Sequence, residues 1–216
     1  MRGMAKKTPS RSKLRRQRER EQRYQTILAA AEKLFAQKGY HQAGMEEIAD
    51  LSEVSVGTVY FYFKNKEDLI VHMLEKIGYQ LRDLLGTEFR NADGTIEGFK
   101  RAGIVFFDEF CSKHPEKVAI FFRESAGQSE HLEKRRKKIF DRLIGDVQQA
   151  LIRVQDNMGI VYQSEFSAEV MAVSIMGMYE RIAYQYLIWG NRSKDLKILG
   201  RDAVDFIVGG IRNLSK

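Results

Sequence analysis

"SVGTVYFYFKNKEDL", Ser55 to Leu69, decides the fold, because its parts point to different secondary structure. The centre, "VYFYF", Val59 to Phe63, has the β-branched and aromatic composition of a strand. Its flanks read as helix. Ser55 is a good N-cap, and Asn65 followed three residues later by Asp68 makes a capping-box-like start for another helix. A lone strand with no partner strand in the chain is not a stable element, so the run is a short third helix. In helical register Val59 and Phe63 share the inward face, while Ser55, Thr58, Phe61 and Tyr62 point elsewhere.

Upstream, "MEEIADL" fits a short second helix with Glu46 and Glu47 in the first turn, where the dipole favours them. Tyr24, Ile27, Leu28, Ala31, Leu34 and Phe35 follow the i, i+3, i+4, i+7 rule of a first helix, which Gly39 stops. Downstream, Leu69, Ile70, Met73, Leu74, Ile77, Leu81 and Leu84 form the apolar face of a long fourth helix. Five further helices are expected at Thr95–Lys113, Pro115–Ser125, Ser129–Asn157, Ser167–Trp189 and Asp195–Leu214, with Ser129 as a cap and Pro115 in a first turn. Pro9 and Pro115 are the only prolines, and so few breakers favour an all-α chain. The organisation expected is a basic arm, 1–23, a three-helix head, 24–68, and a larger helical body, 69–216.

A chain of 216 residues, 44% hydrophobic and 30% charged, is an ordinary globular composition and excludes wholesale disorder. Cys111 is the single cysteine, which excludes an internal disulfide and a Cys-rich zinc site and fits a reducing cytoplasm. The basic N-terminus lacks an apolar h-region, so a secretory signal is not expected. Val170–Trp189 has the length of a membrane span, but Glu180 and Arg181 make it a buried soluble helix. The net charge of +7 is uneven: residues 1–23 hold ten Lys and Arg against Glu19 and Glu21, or +8, leaving −1 for the rest. Charge alone fits equally a phosphate-seeking arm and a solvated disordered tail.

The second and third helices, separated by a tight turn, form a helix-turn-helix candidate. Ile48, Ala49, Val54 and Val59 fill its packing positions. At these residues the sequence resembles a known family. "ILAAAEKLFAQKGYHQAGMEEIADLSEVSVGTVYFYFKNKEDLI", Ile27 to Ile70, is similar to the N-terminal domain of TetR-family transcriptional regulators. The matching pieces are "AAxxLFxxxGY" and "IA…VSxGTxYxYFxxKEDL" at the family's spacing. The rest of the chain matches in length and helical layout only.

The resemblance implies a homodimeric, repressor-type protein that binds a palindromic double-stranded DNA operator and leaves it when a small molecule binds. The body would be the ligand-binding and dimerisation domain. Thr58, Tyr60, Tyr62 and Lys66 are the implied DNA contacts, with Lys66 on a phosphate; Met45, Ser55, Val56, Gly57 and Phe61 complete the candidate surface. Three positions depart from the family pattern. Glu53 stands where Gly is frequent in the turn, at about 1 kcal/mol if that position is left-handed. Gly44 replaces a hydroxyl cap before the second helix, and Val56 replaces a polar or basic side chain.

"SVGTVYFYF" holds no Arg, Lys, Asn or Gln, the side chains that make bidentate base contacts. Direct readout is therefore thin: Val56 or Thr58 against a thymine methyl, and close backbone approach at Gly57. DNA shape and the basic arm must supply the rest. Residues 24–68 hold four basic and seven acidic side chains, net −3, so the arm, or the helix N-termini, is the main electrostatic contributor.

No enzyme is indicated. His41, His72, His114 and His131 are too far apart for a local metal site, and no P-loop or dinucleotide motif occurs, so no cofactor is expected. "GQSEH", Gly127–His131, is better explained as a helix entry than as a nucleophile elbow. Phe106, Phe107, Phe110, Phe122, Phe140, Tyr179 and Tyr184 are candidates to line an apolar ligand pocket, although core packing explains any one of them. "KRRKK", Lys134–Lys138, is a solvated helix face or a seat for the phosphates of an acyl-CoA. "IVGGI", Ile207–Ile211, places two glycines inside a helix at roughly 1 kcal/mol each, which suggests close helix approach. Ile175, Ile182, Ile207, Gly210 and Ile211 are the candidate dimer interface. A membrane-surface or partner-binding helical protein using the arm is the alternative, but a charged anchor does not need the ordered "VSVGTVYFYFKNKEDL" unit.

Overall fold

The computed structural model describes residues 10–92, 94–190 and 195–213, and every element among them is helical. In chain order these are α1 (Arg11–Lys38), α2 (Met45–Leu51), α3 (Val56–Tyr62), α4 (Lys66–Asn91), α5 (Ile96–Val105), α6 (Pro115–Ala119), α7 (Glu130–Met158), α8 (Ser167–Ala183) and α9 (Leu196–Asn213). π-Helical segments prolong α5 (Phe106–Cys111), α6 (Ile120–Glu124) and α8 (Tyr184–Trp189). Two compact units result, with the boundary between Leu69 and Ile70. No helix among the described residues is long and apolar enough to cross a membrane.

In the first unit, Ile27, Leu28, Ala31 and Phe35 of α1 are buried with Ile48 and Ala49 of α2, Val59 of α3, and Phe63. The strand-like run is thus a helix, and its inward pair is Val59 and Phe63, both with no exposed surface. Ser55 caps α3, its hydroxyl accepting from the Thr58 N–H at 3.1 Å. Asn65 caps α4 in the same way, accepting from the Asp68 N–H at 2.7 Å. The Asp68 carboxylate accepts from Lys64 N–H at 2.9 Å, which ties the α3–α4 link into the cap.

α1 begins well before the apolar periodicity does. Ser10 is its N-cap, and residues 11–23 are helical and fully on the surface. The basic segment from Arg11 is therefore neither a separate arm nor a disordered tail. Arg, Leu, Gln and Glu are good helix formers, and nothing is buried there to leave a period in the sequence. The remaining basic positions of the arm, Arg2, Lys6 and Lys7, lie outside the described residues.

The turn between α2 and α3 keeps its left-handed position with Glu53 at φ 55°. Ser52 closes α2 by donating its hydroxyl to Ile48 O at 2.6 Å, and Val54 N–H reaches Ala49 O at 3.0 Å. These bonds hold a conformation that an L side chain occupies only under strain. Glu53→Gly is accordingly expected to raise the stability of the first unit by up to about 1 kcal/mol. A urea midpoint below that of the parent chain would show the turn to be unstrained. Gly44 leaves α2 without a hydroxyl cap, but Glu47 substitutes in part, its carboxylate accepting from the Gly44 N–H at 3.1 Å.

In the second unit α7 packs on α8, and α5 packs on α9. The intrachain close approach involves Gly200 of α9, where an added Cβ would fall 2.6 Å from the Phe107 Cβ. At Gly209 and Gly210, where the sequence suggested such an approach, an added Cβ would meet nothing within 4 Å. Val170–Trp189 is not buried throughout. Val170, Val173 and Trp189 are exposed, because a helix packed on one side leaves its other apolar side outward.

Candidate functional site

The outer surface of α3 is built by its inner one. Val59 and Phe63 fix the helix, and Phe63 stacks on Tyr24 with ring centroids 5.3 Å apart. One residue away in register, Tyr60 is 48% and Phe61 70% exposed, too much for core residues. Ser55 and Gly57 are exposed, and Val56, Thr58 and Tyr62 are half-buried. Thr58 Oγ1 lies 2.8 Å from Ser55 Oγ, so the two hydroxyls share one bond at the start of the helix. Tyr62 donates its hydroxyl to the Arg20 carbonyl at 3.2 Å, and the Arg20 guanidinium sits 5.7 Å from the Phe61 ring centre. The exposed end of α3 and the exposed part of α1 thus meet.

Two expected contacts are placed differently. Met45 turns inward and is buried, because the first turn of α2 packs its apolar side on the unit's core. Its side chain is not on the outer surface. Lys66 is half-buried, and its ammonium donates to His41 O and Ala43 O, both at 3.1 Å, above the Tyr40 ring at 4.7 Å. Loss of hydration lowers the Lys66 pKa. Burial raises the Tyr40 hydroxyl, with the Glu67 charge adding to it. Lys66 therefore holds the α1–α2 loop against the start of α4. Lys38, at the end of α1, pairs with Glu47 of α2 across the same loop, and that bond, then the Gly44 N–H, holds the Glu47 carboxyl below its usual range.

In the second unit the aromatic candidates separate into two groups. Phe106, Phe107, Phe110, Phe122 and Tyr179 are buried in the core. Phe106 stacks on Tyr179 at 5.0 Å and on Phe110 at 6.1 Å, and Phe107 meets Tyr179 edge-on at 5.0 Å. Burial pushes the Tyr179 hydroxyl and the Cys111 thiol well up. Phe140 and Tyr184 instead line open clefts. One, ≈ 460 Å³, is lined by Glu130, Glu133, Lys134, Arg136, Lys137, Phe140 and Glu180; the other, ≈ 330 Å³, by Gly177, Glu180, Arg181, Tyr184 and Trp189. Glu180 belongs to both. In the first, Arg136 lies 4.6 Å from the Phe140 ring centre and 3.2 Å from Glu180, while its Nε is buried without a hydrogen-bond partner. The three π segments carry Phe106, Phe107, Phe110, Phe122 and Tyr184. Apolar spacing gives no signal for such turns, though they are frequent at functional sites.

The expected dimer residues also separate. Ile175, Ile207 and Ile211 are buried within their own unit, Ile182 is half-buried, and Gly210 is exposed. The outward apolar positions are others: Phe166, Val170, Val173 and Gly177 along α8 and its entry, and Phe206 on α9. These recur at helical spacing, but a helix apolar all round does not say which side meets its own chain.

Residues 27–73 match the family described as "Bacterial regulatory proteins, tetR family". Along most of its length the chain is 27% identical to the fatty acid metabolism regulator protein of Bacillus subtilis, over 88% of this chain and 96% of that one. It is 22% identical to the HTH-type transcriptional repressor BepR of Brucella suis, over 87% and 91%. Among solved structures, the fatty acid degradation regulator FadR from Bacillus halodurans superposes with a TM-score of 0.76 at 25% identity, covering 88% of this chain and 96% of that one. FadR from Bacillus subtilis in complex with stearoyl-CoA superposes at 0.75 with 20% identity, over 87% and 98%.

Proposed function

Because this chain is a DNA-binding transcriptional regulator of the TetR family, we propose that it acts as a homodimeric repressor that grips a palindromic operator with α3 and releases it on binding a long-chain acyl-CoA. The observation that carries the DNA reading is the register of α3, with Val59 and Phe63 buried beneath exposed Tyr60 and Phe61 and half-buried Thr58 and Tyr62. Such a helix presents hydroxyls and flat rings to phosphates, sugars and thymine methyls rather than bidentate donors to guanine, and much of its selectivity would come from DNA shape. The outward apolar residues of α8 and α9 are the surface by which two chains would pair, setting two α3 helices about one DNA turn apart, ~34 Å.

Two observations support the ligand. One relative matched along most of the chain is a fatty acid metabolism regulator, and a fold neighbour was solved with stearoyl-CoA. In this chain, Lys134, Arg136 and Lys137 line a cleft with Phe140, and these bases, which pair with Glu130, Glu133, Glu180 and Asp141, would exchange those carboxylates for the phosphates of a coenzyme. The buried phenylalanines of the π segments that prolong α5 and α6 would part for the acyl chain.

Selection from a random duplex pool tests the first claim: inverted repeats should be enriched, and an unenriched pool would sink it. Palmitoyl-CoA added to that complex should release the duplex and raise the melting temperature of the free protein, with coenzyme A alone ineffective. No release and no thermal shift would remove the acyl-CoA. Thr58→Ala and Tyr62→Phe should each weaken duplex binding by about 1 kcal/mol while leaving the chain folded. Full affinity in both variants would take α3 out of the interface.

A further inference from the structure

The exposed part of α1 is two-sided in a way that charge counting hides. At 3.6 residues per turn, Lys13, Arg16, Arg20 and Arg23 fall within an arc of about 80°, whereas Arg11, Arg15 and Arg18 lie on the opposite side. All seven side chains are on the surface. On the second side Arg15 is partly neutralised by Glu19 at 3.4 Å. No ion pair engages the first stripe among the described residues. The contacts of Arg20 orient the pair of faces. Its carbonyl receives the Tyr62 hydroxyl and its guanidinium approaches the Phe61 ring, both at the outward end of α3.

We propose that the Lys13–Arg16–Arg20–Arg23 stripe is a second DNA-binding site, a rigid helical rail that neutralises duplex phosphates flanking the half-site read by α3. The proposal rests on the reading of α3 as the DNA-binding helix. Continuity with that helix fixes the occupant, because a stripe anchored on Phe61 and Tyr62 meets the same duplex. Charge points the same way. Residues 24–68, which carry α2 and α3, are net −3, so the phosphate attraction that this head lacks is supplied by the rail. From Lys13 to Arg23 the rail spans about 15 Å, the length of some four base pairs. A helix already capped by Ser10 and held by Tyr62 loses less entropy on docking than a flexible tail.

The test compares two triple variants of the full chain with the same change in charge. Gln keeps helix propensity, so Lys13→Gln/Arg16→Gln/Arg23→Gln and Arg11→Gln/Arg15→Gln/Arg18→Gln should both fold. Binding to the duplex recovered by the parent chain is followed by fluorescence anisotropy across a salt series. Each phosphate contact contributes about 0.9 to the log–log slope, so the first variant should lose about 2.7 per chain and the second much less. Over a fourfold change in salt that difference is roughly fortyfold in affinity for each chain bound. Trimming the duplex from its ends should abolish the distinction. Equal losses in the two variants, or an unchanged slope in the first, would overturn the rail. If the parent chain binds no duplex, the reading of α3 itself fails, which the same titration reveals before any variant is compared.

Discussion

Phe63→Ala is expected to abolish duplex binding by unfolding the first unit, although Phe63 touches no DNA. Its ring has no exposed surface and stacks on Tyr24. Removing a buried phenylalanine costs about 3–5 kcal/mol, a large share of what a small three-helix unit has to lose. Phe61→Ala, two residues earlier and 70% exposed, should change stability by less than about 0.5 kcal/mol and act on DNA affinity alone. Hydrogen exchange of the α1–α3 amides separates the two variants. Wild-type protection in Phe63→Ala would mean that the register of α3 is wrong. The pair also separates the duties within so aromatic a run: Phe63, at the C-cap, holds the element, while Tyr60 and Phe61 face outward.

The second large effect is expected at the α9 surface. Phe206 is 72% exposed within its chain, so Phe206→Glu removes little intrachain packing. If that side is buried between two chains, an unpaired carboxylate there costs several kcal/mol. At 1.4 kcal/mol per tenfold, the dimer would weaken by roughly a thousandfold. The variant should sediment as a folded monomer and lose its high-affinity operator complex, since one α3 alone covers one half-site. Gly210→Leu probes the same surface by bulk, at a position with open space inside the chain. A Phe206→Glu chain that remains dimeric at wild-type concentration would place the interface elsewhere.

What was legible in the sequence tracks what is buried. Val59, Phe63 and the Ser55 and Asn65 caps could be read because capping and core contacts impose residue types at fixed offsets. The helical part of α1 before Tyr24 could not, since exposed turns carry no apolar period. For Met45 and Lys66 the family resemblance alone points outward. Their actual surroundings depend on the α1–α2 loop, which brings the His41 and Ala43 carbonyls to the Lys66 ammonium. At Ile175, Ile207 and Ile211 the residue type was informative but the direction was not, because two apolar sides of one helix have the same spacing.

The π turns have a consequence for how this chain lines up with its relatives. Each closes i→i+5 bonds and so accommodates one residue more than the α turn it replaces. A relative with regular helices through Phe106–Cys111, Ile120–Glu124 or Tyr184–Trp189 would match only with a one-residue gap inside the helix. Gaps of that kind fall in the middle of secondary structure, where alignments normally forbid them. Forced closed, they would shift every later position by one and pair the wrong residues of α7 and α9 across the two proteins.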